Sequence, residues 1–348
     1  MNKILMVCPH PEMKGGISSV VRLYQKYSYL SNYDIKFLYT SREGSKLIKF
    51  LYFNKALIIY LFYLIDSTIK AIHIHTASYN SFLRKYYVVK IGKFFGKIII
   101  IHIHGAEFMI FYKKANENLK RKIRNTLDKS DIIIALSKEW KKNLSKITSN
   151  KNIVVLNNPV EVPKYTQRKN NGRVDFLFLG RLGKRKGTFD LIKAVKKVRA
   201  NNFRVLLAGD GEIDTVKELI STQNLSSKIK ILGWIDEKKK HKLLVDSDVY
   251  LLPSYNEGLP ISIIEAMAFS LPIISTNVGG IPTIVKNNVD GYLIKPGNVN
   301  ELSKKMSDLI SNPNKRIKFG RLSYEIVSKE FNIQKIMKRL EEVYNSLT

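Results

Sequence analysis

The chain is short of cysteine and of acidic residues, and each shortage narrows what it does. One cysteine, Cys8, in 348 residues excludes an intramolecular disulfide and a cysteine-ligated metal cluster. Such sparing use fits a reducing cytoplasm. Asp and Glu number 29 against 59 Lys and Arg, a formal net charge of +30. That deficit favours an anionic partner: nucleic acid, anionic lipid or a phosphate-bearing substrate. The excess is steeper early, with 28 basic against 10 acidic residues in 1–165 and 31 against 19 in 166–348. A long apolar run is also missing. The stretch 50–65 is broken by Asn54 and Lys55 and leaves ten clean residues from Ala56 to Ile65, short of the roughly 20 a bilayer span needs. No cleavage-site signature follows Met1–Cys8, which runs straight into a strand pattern. The expectation is a cytoplasmic protein, soluble or peripheral to a membrane. A clustered aromatic platform or nucleic-acid motif is absent, so nucleic acid is not the expected partner despite the charge.

What is present is apolar content enough for a core, 45% of residues, in a chain long for a single one. Short β-branched runs alternate with helical stretches of mixed charge. Six candidate strands are Lys3–Val7, Asp34–Tyr39, Ala71–His75, Lys97–His102, Ile132–Ala135 and Ile153–Leu156. Six more are Asp175–Leu179, Arg204–Ala208, Ile229–Leu232, Val249–Leu252, Pro272–Ser275 and Gly291–Ile294. Runs apolar throughout and spaced by helices mark parallel sheets covered on both faces. Two series predict two doubly wound α/β domains, 1–160 and 173–332, with a polar linker at 161–172 and a final helical segment at 333–348. Ligands in such sheets bind beyond the carboxyl ends of the strands, so two facing domains make a cleft.

The strand-end loops carry the chemistry. In EGLPISIIEAM (257–267), Glu257 lies in a loop and Glu265 in a nearly all-apolar helix starting after Pro260. The seven-residue interval between the two glutamates is near what chance supplies. The environment is the signal: Ile261, Ser262, Ala268 and Phe269 are the i±3 and i±4 neighbours of Glu265, and none is basic. A carboxylate there is costly without hydrogen bonds, which a ribose diol supplies, the alternative being a structural pair with a basic residue distant in sequence. Glu257 would reach a second polar group of that ligand. Gly258, Leu259 and Ile261 border the helix start, whose free N–H groups favour a phosphate.

A second constellation is FLGRLGKRKGTFDLIKAV (178–195), where Arg181, Lys184, Arg185 and Lys186 crowd between a strand end and a helix start. Cations so placed suit a diphosphate and stabilise a leaving group without metal. Gly15 and Gly16 follow the first strand and admit close ligand approach, as Gly209 and Gly211 in AGDGEI (208–213) can after another. The GG loop is not a GxGxxG dinucleotide signature. His104 ends the strand KIIIIHIHGAEF (97–108) and is positioned to hydrogen-bond a substrate while neutral. His73 and His75 end another strand and are weaker candidates for the cleft. A His-x-His pair has no third ligand legible in the sequence, so zinc is not expected. Asp246-Ser247-Asp248 precedes a strand rather than following one and is rejected as a metal site.

Taken in order, the GG loop, HGxxF, GRLxxxKG, GxGE, EGLPxxxxEAMA and VGGxPxxV resemble retaining glycosyltransferase family 4, over nearly the whole chain and most specifically in its second half. The resemblance implies the GT-B fold and transfer of a sugar from a nucleoside diphosphate sugar to an acceptor hydroxyl, with retained anomeric configuration. It implies that Arg181 and Lys186 hold the diphosphate, Glu257 the donor sugar and Glu265 the ribose. His104 would contact sugar hydroxyls near the anomeric centre, and Gly16 would approach the diphosphate from the other domain. No metal is required, and the final helix crosses back to the first domain. Segment 46–70, with Phe, Tyr, Leu and Ile among its lysines, suits an anionic membrane surface, against the alternative of a buried helix with exposed lysines. A surface role implies a polyprenyl-diphosphate-linked acceptor or lipid head group and work on a bacterial capsule, O-antigen or similar polymer. Rival readings are another GT-B activity (a sugar-nucleotide epimerase or an inverting transferase) and a basic nucleic-acid-binding protein.

Overall fold

The computed structural model describes residues 3–166 and 172–347. Part of the expected linker, 167–171, lies outside the described residues. The chain divides into two compact units, Met1–Pro159 with Ile333–Thr348, and Val160–Asn332.

In the first unit the strands are β1 (Lys3–Cys8), β2 (Asp34–Tyr39), β3 (Ile69–Thr76), β4 (Ile98–Ile103), β5 (Ile132–Ala135) and β6 (Ile153–Val155). They form one parallel sheet in the order β2-β1-β3-β4-β5-β6. Alternation of side chains across the pleat sorts its residues. Leu5, Val7, Ile72, Ile74, Ile99 and Ile101 pack with Phe82, Val88 and Leu127 in one core. The opposite face carries His73, His75 and His102, which meet Tyr24 of the helix Gly16–Lys26 and Tyr344 of the helix Ile333–Asn345.

The second unit repeats the plan with β7 (Val174–Leu179), β8 (Phe203–Ala208), β9 (Ile229–Gly233), β10 (Val249–Leu252), β11 (Ile273–Thr276) and β12 (Gly291–Ile294). Its order is β12-β11-β10-β7-β8-β9, again parallel. Strand order reverses between β7 and β10 here, and between β1 and β3 in the first sheet. At such a point neighbouring connections leave in opposite directions and open a crevice at the carboxyl edge. The expected class, two doubly wound parallel α/β domains, is the one observed, and Asp34–Tyr39, Ile132–Ala135, Val249–Leu252 and Gly291–Ile294 keep their expected bounds.

One element departs from expectation. Residues 46–65 form a continuous 20-residue helix, Lys46–Ile65, started by Ser45 Oγ accepting from Ile48 N at 3.3 Å. By length and composition it is apolar enough to cross a membrane, because Asn54 and Lys55 do not break it. Only 17% of its most apolar window is buried. Ala56, Tyr60 and Leu64, at i, i+4 and i+8, are its buried stripe, while Phe50, Leu51, Ile58, Phe62 and Ile65 are exposed. The alternative of a buried helix with exposed lysines is therefore corrected: the apolar side chains themselves face outward.

Candidate active site

The crevice of the second sheet gathers both principal motifs. The loop after β7 turns through Gly180 and a 3-10 turn at Lys184–Lys186, and the loop after β10 runs from Pro253 to Gly258. The two are bound together by Tyr255 N donating to Arg185 O at 2.9 Å and by the Arg185 side chain, whose Nη1 donates to Asn256 O at 3.3 Å. Thr276 Oγ1 at the end of β11 donates to Ser254 O at 2.6 Å, and Gly280 N to Gly258 O at 2.6 Å. On this frame Lys186 Nζ lies 2.6 Å from Glu257 Oε1, which also accepts from Ser254 Oγ at 2.6 Å. Glu257 is 5% exposed, so its carboxylate is stabilised by a cation and a hydroxyl rather than by bulk water. Arg181 is exposed, and no hydrogen bond or ion pair is formed by its guanidinium among the described residues.

The glycines of these loops serve packing. At Gly187 (φ +71°) an added Cβ would stand 2.0 Å from Pro253 O, so only glycine lets the basic loop touch the glutamate loop. Gly209 and Gly211 were candidates for close ligand approach. Their Cβ positions fall 1.9 Å from Gly180 O and 2.3 Å from Leu182 O, which assigns their small size to backing the basic loop. Gly258 and Leu259 are buried, and Ile261 is half-buried at the start of the helix Ile261–Ala268.

Glu265 corrects the sequence reading directly. It is not unpaired: Lys240 Nζ, from the helix Glu237–Asp246, lies 2.6 Å from Glu265 Oε1 and 2.8 Å from Glu237 Oε2. Burial works against the charge of Lys240, but the Glu265 and Glu237 carboxylates outweigh it and raise its pKa above the ordinary lysine value. Glu265 is half-buried on a face otherwise apolar, and Lys240 is the site residue that local reasoning missed. Twenty-five positions separate the two in sequence, so no i±3 or i±4 pattern reveals them.

In the first unit, Gly16 opens the helix Gly16–Lys26 and is exposed together with Gly15. His104 follows β4, its N donating to Thr76 O at 2.8 Å. The parallel register sets His75 beside His102, so His73, His75, His102 and His104 stack on one face with ring centroids 4.0–5.4 Å apart. His73 Nδ1 bonds Tyr344 Oη at 2.8 Å and its Nε2 bonds His102 Nδ1 at 3.2 Å, while His75 Nδ1 bonds His104 Nε2 at 2.8 Å. Burial pushes His73 and His104 down to about 3, so both rings are neutral at pH 7. His73 and His75 are 0% and 1% exposed, which removes them as cleft residues and makes them the support under His104. Ring nitrogens of His73, His75 and His102 lie within 4.8 Å of one another, the third ligand that the sequence did not reveal. Both nitrogens of His73 are already spent on Tyr344 and His102. Asp248 Oδ2 accepts from Asp175 N at 2.8 Å and so ties β10 to β7.

The sequence profile of the glycosyl transferases group 1 family matches residues 164–325. An uncharacterized glycosyltransferase of Methanocaldococcus jannaschii is 31% identical over 250 residues, covering 72% of this chain and 68% of the relative. The chain belongs to this glycosyltransferase family. The profile spans Arg181, Lys186, Glu257 and Glu265 and stops short of the whole first unit. This glycosyltransferase is also 29% identical over 210 residues to the UDP-Gal:alpha-D-GlcNAc-diphosphoundecaprenol alpha-1,3-galactosyltransferase of Escherichia coli, covering 55% of this chain and 54% of the relative. Among solved structures, HepE of Anabaena in complex with UDP and glucose has a TM-score of 0.78 at 16% identity, over 99% of this chain and 100% of that one. The fold is GT-B.

Proposed function

We propose that this glycosyltransferase is a retaining, family 4 enzyme that moves a hexosyl or N-acetylhexosaminyl group from a UDP-sugar to a hydroxyl of a glycan or polyprenyl-diphosphate-linked acceptor. The reading rests on the Lys186–Glu257 pair, 2.6 Å apart where the second sheet reverses its strand order. As the bond from the anomeric carbon to the diphosphate breaks, negative charge grows on the leaving oxygens. Lys186 and the unengaged Arg181 offset that charge, and no step calls for a metal ion. Glu257 accepts from donor-sugar hydroxyls and Glu265 from the ribose diol, with Lys240 as the counterion of the second carboxylate. His104, a neutral ring whose Nε2 already bonds His75 Nδ1 at 2.8 Å, is assigned sugar hydroxyls by the family resemblance. The acceptor hydroxyl attacks from the face the diphosphate leaves and loses its proton to it, so the anomeric configuration is kept.

UDP is favoured because UDP stands in the name of the Escherichia coli relative and in the complex of HepE. A lipid-linked acceptor is favoured by the same relative's name and by the outward apolar face of Lys46–Ile65, flanked by Lys46 and Lys49 in a strongly basic half-chain. Such a face would rest on the anionic inner surface of a bacterial cytoplasmic membrane, in synthesis of capsule, O-antigen or exopolysaccharide. Proton NMR of the product tests the stereochemistry: the donor's anomer is expected, and an inverted one contradicts the mechanism.

A further inference from the structure

Arg84 and Lys85 are cations withdrawn from solvent that have no carboxylate partner among the described residues. Lys85, in the helix Asn80–Phe94, is 3% exposed, and its Nζ donates to Thr40 Oγ1. Arg84 is half-buried, and its buried Nε has no partner. Among the described residues neither forms an ion pair. A buried ammonium without a counterion is expensive. The neighbour that could supply a negative charge is Cys8, and burial drives its thiol up to about 12, so it stays protonated. Burial in turn pulls Lys85 down to about 7. A hydroxyl holds this lysine in place without offsetting its charge.

The position of the pair is informative. Thr40 follows β2 and its Oγ1 donates to Cys8 O at the end of β1, at 3.2 Å. β1 and β3 are the strands between which this sheet reverses its order, the place where open α/β sheets take ligands. The first turn of Asn80–Phe94 carries neither a side-chain cap nor an acid, so its N–H groups point the same positive way.

We propose that Arg84 and Lys85 bind a phosphate or diphosphate group of the acceptor. This rests on the glycosyltransferase reading and deepens it by assigning residues to the phosphate of a phosphorylated acceptor carrier, over an unphosphorylated glycan. An anion at Nζ supplies the charge that the chain withholds, and the guanidinium forks onto its oxygens.

Calorimetric titration of inorganic pyrophosphate into the full chain at low salt, with the donor site saturated by UDP, tests it. Wild type should bind. K85M and R84Q should bind at least tenfold more weakly while their UDP affinity stays unchanged. K186M should keep pyrophosphate binding and lose UDP. The Met replacement removes a buried charge at similar volume, so K85M should unfold at or above the wild-type temperature. Lower stability with unchanged pyrophosphate affinity makes Lys85 a structural pin and overturns the proposal, as does wild type that takes up no pyrophosphate. A second arm uses geranyl diphosphate: binding tighter than pyrophosphate and lost in K85M assigns a lipid-linked source, and equal binding assigns a sugar-borne or free phosphate. Failure of UDP to bind wild type sinks the donor reading instead. The pyrophosphate comparison of wild type with K85M stands without it.

Discussion

Lys240 Nζ stands 2.6 Å from Glu265 Oε1, so a carboxylate that looks isolated on its own apolar helix is neutralised from a different one. The pair changes what Glu265 can do. An isolated carboxylate there would need a ligand simply to be tolerated, whereas a paired one is tolerable unoccupied and still offers lone pairs to a diol. Both side chains are about one-fifth exposed, which discounts the usual cost of breaking a buried pair to about 1–3 kcal/mol. K240M should lose that much in urea unfolding. E265Q should weaken UDP binding about tenfold, roughly 1.4 kcal/mol. Unchanged UDP affinity in E265Q would leave Glu265 as a structural partner of Lys240.

Lys186 and Glu257 form the most buried charge pair of the second crevice, at 14% and 5% side-chain exposure. K186M should lower kcat for UDP release by about 10²–10³, the usual loss when a charge-stabilising donor is removed. It also leaves Glu257 with Ser254 alone, so stability must be measured alongside. A variant folded at the assay temperature with near-normal kcat contradicts the role of Lys186.

Gly187 is a sharper structural test. With φ +71° and a Cβ position 2.0 Å from Pro253 O, G187A forces the two loops apart. Thermal unfolding should show a loss of about 1–3 kcal/mol, with UDP binding reduced in parallel. An alanine tolerated without either change would show that the two loops need not touch.

The histidine ladder makes the first unit acid-sensitive. His73 and His104 titrate near 3 in the fold against an ordinary value near 6.5. The unfolded chain takes up protons that the fold refuses, so their contribution is whole above pH 6.5 and is lost as pH falls toward 3. Each such ring contributes a slope of about 1.4 kcal/mol per pH unit in that window. Urea unfolding from pH 7.5 to 4.5 should show falling stability, reduced in H73Q. A flat profile contradicts the buried, neutral ladder.

Phe50, Phe62 and Ile65 are 64%, 71% and 72% exposed on the long apolar helix. Replacing all three by serine should leave stability almost unchanged, since little of their surface is buried by the fold. Flotation with vesicles containing anionic lipid should fall at least tenfold. Equal flotation removes this helix from membrane binding.

Much of this was legible in the sequence because parallel sheets write themselves as short, continuous apolar runs. Val249–Leu252 and Gly291–Ile294 need no tertiary information to be recognised as strands. The loop chemistry was legible for a related reason: the cations of 181–186 and Glu257 sit next to strand ends, where sequence position fixes location. Illegible were contacts between elements distant in sequence. Lys240 reaches Glu265 from another helix, and His102 closes onto His73 only once β3 and β4 are in register. Gly209 and Gly211 misled because a glycine near a ligand loop looks the same whether a ligand or Gly180 O occupies the space. The apolar helix Lys46–Ile65 misled through counting clean residues, when two polar side chains do not interrupt a helix.

The central claim, a nucleoside diphosphate sugar site built on Lys186 and Glu257, is tested most directly by thermal unfolding with UDP. At one hundred times the dissociation constant, UDP should add about 2.7 kcal/mol to wild-type stability, seen as a clear rise in Tm. K186M should show no such rise. Wild type that gains nothing from UDP or GDP, or K186M that gains as much as wild type, contradicts the assignment.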